Sequence, residues 1–154
     1  SNYLINTIKK FNTQNLVNSV SKLLNVTSEL NVKVCIENMP NSVGILLYLD
    51  ELSNFFQTIN NDQLYLTWDT SHSWTCDIVT ADFWEVFHPK IKNIHLVDNN
   101  DKKTDKHPAL GTGKVDFKEN LNLIREYNYD GALIVELSSA KDLPVSIDFI
   151  QQFL

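Results

Sequence analysis

Four apolar runs in this chain end on or carry a side chain that can ligate a metal or move a proton. Cys35-Ile36-Glu37 ends one, Leu64-Tyr-Leu-Thr-Trp-Asp69 a second, Ile94-His95 a third and Ile134-Val135-Glu136 a fourth. Carboxylate oxygens and imidazole nitrogens suit hard to borderline divalent cations. His72 follows Asp69 by three residues. Taken alone, Asp-x-x-His is a weak signal, because an Asp at a strand end also starts a turn or caps the next helix. Glu37 before Asn-Met-Pro reads equally as a turn cap, His95 as a satisfied core histidine and Glu136 as an N-cap acid. The bland reading must then hold at four strand ends independently, and that weighs against it.

The elements that position these residues follow from periodicity. Phe11–Leu30, Leu46–Ile59, Thr80–Phe87, Asp116 onward and Asp142–Phe153 have helical apolar spacing. Thr80 and Asp116 are the expected N-caps, with Glu119 completing a box-like pattern after Asp116. Phe117, Leu121 and Ile124 form the inner face of that helix. Lys33–Glu37, Leu64–Trp68, Ile91–Leu96 and Ala132–Glu136 read as strands. Strict alternation of helix and apolar strand predicts an α/β fold of parallel βα repeats, with ligands at the carboxyl ends of the strands. Four such units are half of a (β/α)8 barrel, which takes about 250 residues in full.

The chain has 154 residues and a formal charge of −6. That length suits a single domain, residues 1–154. The acidic balance argues against a broad nucleic-acid footprint. No apolar run is long enough to span a bilayer, and no signal peptide is visible, so the expected compartment is the cytoplasm. Cys35 and Cys76 suggest neither a disulfide framework nor a zinc knuckle. Trp68, Trp84 and Trp74 read as packing, Trp74 also as a residue able to line a sugar pocket. The charged stretch Asp98–Lys106 reads as a solvated loop. Gly111-Thr-Gly113 does not follow a strand directly, so it is a weak nucleotide fingerprint.

Taken in order, Asp69-Thr-Ser-His72, Ile94-His95-Leu96-Val97-Asp98-Asn99, His107-Pro-Ala-Leu-Gly111-Thr-Gly113 and Val135-Glu136 resemble the sugar-phosphate isomerase/epimerase superfamily of xylose-isomerase-like barrels. The fold is shared with the apurinic/apyrimidinic endonucleases of family 2. The resemblance runs from Lys33 onward and covers only the C-terminal half of such a barrel. It implies a divalent metal (Mn, Co, Mg or Zn) on Glu37, Asp69, His95 and Glu136. It also implies Glu37 and Glu136 as base and acid, and His72 and His107 against a sugar or sugar phosphate. The implied chemistry is proton transfer beside a carbonyl through a metal-stabilised enediolate. An alternative is the nuclease branch, in which Asp105-Lys106-His107 would supply further ligands for hydrolysis at abasic DNA. The absent N-terminal half gives a third expectation, a non-catalytic metal-binding half-barrel. Either the missing half or a second copy would complete the barrel.

Overall fold

The computed structural model describes residues 2–153. In chain order it contains α1 (Asn2–Thr27), β1 (Val34–Glu37), α2 (Leu49–Ile59), β2 (Leu64–Asp69), α3 (Thr70–Thr75), α4 (Thr80–Phe87), β3 (Ile91–Leu96), α5 (Phe117–Glu126), β4 (Ala132–Val135) and α6 (Leu143–Gln151). The four strands form one parallel sheet in the order β1-β2-β3-β4, the expected half of a βα barrel.

Side-chain alternation gives the sheet two unlike faces. Leu64, Leu66 and Trp68 of β2 and Ile94 and Leu96 of β3 are buried against the helices. They meet Leu24 of α1, Leu52 and Phe55 of α2, Phe83 and Trp84 of α4, and Phe117, Leu121 and Ile124 of α5. Trp68 stacks on Phe83 at 5.8 Å between centroids and meets Trp84 edge-on at 5.4 Å. Removing either indole would leave a void that the layer could refill only in part, at a cost of about 3–5 kcal/mol. The other face carries Cys35, Tyr65, Thr67, Asn93 and Ile134, and at its carboxyl-end rim the candidate ligands.

Register sets which residues reach that rim. β2 and β3 pair as Leu66↔Ile91 and then Thr67↔Asn93, so Lys92 is the extra residue of a bulge. The bulge returns Asn93 and His95 to the same face as Thr67 and Asp69, and Asp69 lies level with His95.

Some boundaries differ from expectation for local reasons. α1 begins at Asn2 and ends at Thr27, earlier at both ends. α2 begins at Leu49, because Leu46 has φ +56°, outside any helix. Thr80 is not the cap of α4: Val79 holds that position with no side-chain bond, and Thr80 is the first helical residue. Asp116 does cap α5, accepting from the Glu119 N–H at 2.9 Å. α6 begins after a single 3-10 turn, Ala140–Asp142. α3 was not expected: six residues give no readable period.

Candidate metal centre

Asp69 is both a helix cap and the most enclosed carboxylate of the cluster. Its Oδ1 accepts from the His72 N–H at 2.8 Å, which starts α3 directly from the end of β2. Asn38, just past β1, grips the Asp69 backbone with both amide atoms. Its Oδ1 accepts from Asp69 N–H at 2.8 Å, and its Nδ2 donates to Asp69 O at 3.1 Å. The second carboxylate oxygen, Oδ2, is buried and has no partner. Burial pushes the Asp69 carboxyl well above its ordinary range; the His72 N–H opposes this, and the nearby Glu37, Glu136 and Asp105 add to it. A fully buried acid with one orphaned oxygen among other acids is where a cation would relieve the most strain.

One ligand atom from each of Glu37, Asp69, His95 and Glu136 lies within 4.8 Å of all the others. His95 Nδ1 sits 3.1 Å from Glu37 Oε1 and 2.9 Å from Glu136 Oε2. Four consecutive strand ends thus converge on one point, which a curved sheet permits and a flat one does not. Asn93, two residues before His95 on the same face, places its side-chain Nδ2 3.0 Å from His95 Nε2, and its buried Oδ1 has no partner. Rotating the amide by half a turn would bring Oδ1 to Nε2–H, satisfy that oxygen and leave the lone pair of Nδ1 toward the carboxylates. Three carboxylates and one imidazole fit a divalent cation.

A second group adjoins the first: His72, Asp105 and His107. His72 Nδ1 lies 2.8 Å from Asn38 O, so its proton is there and Nε2 carries a lone pair. Nε2 is buried, stands 3.3 Å from Asp105 Oδ1 and makes no hydrogen bond. Two acceptor atoms facing each other call for a proton or a cation between them. His107 joins the groups, with Nε2 3.0 Å from Asp105 Oδ1 and Nδ1 3.3 Å from Glu136 Oε1.

The stretch from Asp98 to Lys106 is not simply a solvated loop. Asp98 is buried and accepts from the N–H groups of Gly111 (2.9 Å), Gly113 (2.7 Å), Val115 (3.2 Å) and Asn99 (2.8 Å). Gly113 is required, because a Cβ there would run into the Asp98 carboxylate. Asn99, also buried, donates to Ser71 Oγ at 3.1 Å and to Thr104 O at 2.8 Å. These bonds fold the loop so that Asp105 and His107 face His72. Trp74, by contrast, lies under the Lys102 ammonium and lines a groove with Ile78, Thr80 and Lys114 that holds none of the ligand residues.

All six expected residues, and Asp105 with them, therefore share one rim. A match to the family model described as xylose isomerase-like TIM barrel spans residues 9–153. The chain belongs to this family. It is 28% identical over 148 residues to the uncharacterised protein MJ1311 of Methanocaldococcus jannaschii, covering 91% of this chain and 48% of that protein. The crystal structure of a D-tagatose 3-epimerase-like protein superposes with a TM-score of 0.84 at 26% identity, over 99% of this chain and 56% of that one. The structure of the IOLI protein with a bound zinc atom shares the fold, with a TM-score of 0.68 at 20% identity, over 92% of this chain and 53% of that one. The chain thus spans about half the length of the relatives it matches.

Asn38, Asn93 and Asn99 carry much of the support around this rim: Asn38 through the Asp69 backbone, Asn93 beside His95, and Asn99 through Ser71 and Thr104. Sequence reasoning missed all three. Asn93 had a readable signal, since it shares the period-2 face of His95.

Proposed function

We propose that this chain carries the metal-binding, proton-transferring half of a sugar or sugar-phosphate isomerase or epimerase. Residues 1–154 would form one partial barrel domain. The observation that carries the reading is the convergence of Glu37, Asp69, His95 and Glu136 around the unpartnered Oδ2 of Asp69. The epimerase-like structural relative and the zinc atom of the IOLI structure support it.

A divalent cation held by those four residues would supply positive charge that acidifies a carbon next to a substrate carbonyl. The chain's own groups do the rest. Glu37 and Glu136 flank the centre from opposite ends of the sheet, one to remove the proton and the other to return it. His107 Nδ1, beside Glu136 Oε1, gives Glu136 a surrounding unlike that of Glu37, as paired acid and base roles require. His72 and His107 are placed to contact substrate oxygens.

Elemental analysis of protein purified without chelator tests the reading, with Glu136→Gln in parallel. About one Mn, Co or Zn per chain, lost in the variant, supports it. No metal in either protein would favour a non-catalytic half-barrel. The group His72, Asp105 and His107 is the observation that favours a second reading, a metal-dependent phosphodiesterase acting on abasic DNA. More than one zinc per chain, with cleavage of an abasic oligonucleotide, would select it.

A further inference from the structure

The rim meets its substrate with acceptors. His72 Nε2 is buried and unpartnered, and Asp105 Oδ1 stands 3.3 Å from it. Glu37, Asp69 and Glu136 add three more carboxylates. Among the described residues no lysine or arginine pairs with any of these acids. Lys102 pairs with Asp77, and Lys106 lies 3.8 Å from Asp101. Arg125, the only arginine of the chain, stands in the last turn of α5 and donates to Phe153 O and Asn122 Oδ1.

Backbone N–H groups are the other means by which a barrel holds an anion. In each loop that leaves a strand, such groups already have an acceptor from this chain. After β1, Glu51 Oε2 accepts from Leu47 N–H at 3.0 Å. After β2, Asp69 Oδ1 accepts from His72 N–H. After β3, the buried Asp98 carboxylate gathers the N–H groups of Asn99, Gly111, Gly113 and Val115, a nest in which it sits as a phosphate would. After β4, Ser139 Oγ accepts from Lys141 N–H at 3.3 Å.

We propose that the part of the substrate lying over these four strands is an uncharged polyhydroxy aldehyde or ketone, and that Asp98 sets this preference by filling the anion nest of its loop. Hydroxyl groups donate hydrogen bonds, whereas a phosphate dianion only accepts them. His72 Nε2 and Asp105 Oδ1 therefore suit a hydroxyl and disfavour a phosphate. A phosphate entering the nest would have to displace a carboxylate, and it would bring about two further negative charges to an acidic rim. On the isomerase or epimerase reading, on which this rests, the substrate presents a free sugar to this half of the barrel and not a sugar phosphate.

Two binding measurements on the whole chain test this. In EDTA, a phosphorus NMR titration with inorganic phosphate reads the nest without a metal. The parent should show no saturation below ~10 mM, and Asp98→Ala, with the nest freed, should bind at least about tenfold more tightly than the parent. Calorimetry on the Mn²⁺-loaded chain then compares D-fructose with D-fructose 6-phosphate. The phosphate should improve affinity by less than about threefold. A larger improvement, or phosphate binding by the parent as tight as by the variant, would overturn the proposal. An Asp98→Ala protein that folds, by a circular-dichroism melt, yet gains no phosphate binding would do the same. If the variant does not fold, the parent decides: saturation by phosphate below ~10 mM overturns the proposal and its absence supports it. A chain that takes up no Mn²⁺ counts against the isomerase or epimerase reading instead, and the titration in EDTA still reads the nest.

Discussion

Asp69 shows how one side chain can be a helix cap and still stand in a candidate metal site. One oxygen caps α3 and the other is left without a partner inside the cluster. The capping reading of Asp-x-x-His is therefore what the structure shows, and it leaves the second oxygen available for the proposed metal. Because burial raises its folded-state pKa, Asp69 favours folding below the unfolded carboxylate value, about 3.9. That contribution is lost as pH rises through the folded value, so in chelator Asp69 opposes folding near neutrality. Asp69→Asn keeps an acceptor for the His72 N–H. It should melt above the parent near neutral pH in EDTA, and the gap should close toward acid; thermal melts across that range check it. Asn93 acts through His95. Asn93→Ala should weaken cation binding roughly 10–100-fold, as loss of a partner to a ligating imidazole generally does, and Asn93→Asp should restore it. Calorimetric titration with Zn²⁺ would read both, and equal affinities in all three proteins would remove Asn93 from the site.

At the scale of elements, the long periodic segments were legible and the short ones were not. The strand at Ile91–Leu96 and the inner face of α5 follow directly from alternation and 3.6-residue spacing. α3 escaped because Thr-Ser-His-Ser-Trp-Thr has neither the length nor the composition of a helix, and it exists because Asp69 caps it. The Asp98 segment was misread because a run of charges normally means solvent. Here the first two members turn inward and gather the backbone N–H groups of a later stretch, a pairing 13 to 17 residues apart that no local pattern reveals. The lysines at the tip remain outside the clamp. Limited trypsin digestion followed by mass spectrometry should therefore show cleavage after Lys102, Lys103 and Lys106 rising at least about fivefold in Asp98→Ala, with cleavage after Lys141 unchanged. Equal rates in the two proteins would mean that Asp98 does not hold the loop.

For the whole molecule, the half-barrel topology was legible because at least one helix separates each strand from the next, from β1 to α6. The convergence of the ligands was legible only in outline. Sequence places each acid or histidine at a strand end, whereas the curvature and the bulge that bring them within one cation's reach arise from packing. The second group depends on the Asp98 clamp as well, so Asp105 stood out less than its partners. Strand order equal to chain order has a consequence in time. Each pairing joins a strand to the one made just before it, across registers such as Val34↔Leu64 and Asn93↔Ala132. No strand waits for a distant partner, so the sheet can grow one βα unit at a time as the chain leaves the ribosome. Glu37, Asp69 and His95 are placed before Glu136 is synthesised. Glu136 is the last of the four candidate residues to be made, so a nascent chain stalled before β4 would bring together only three of them.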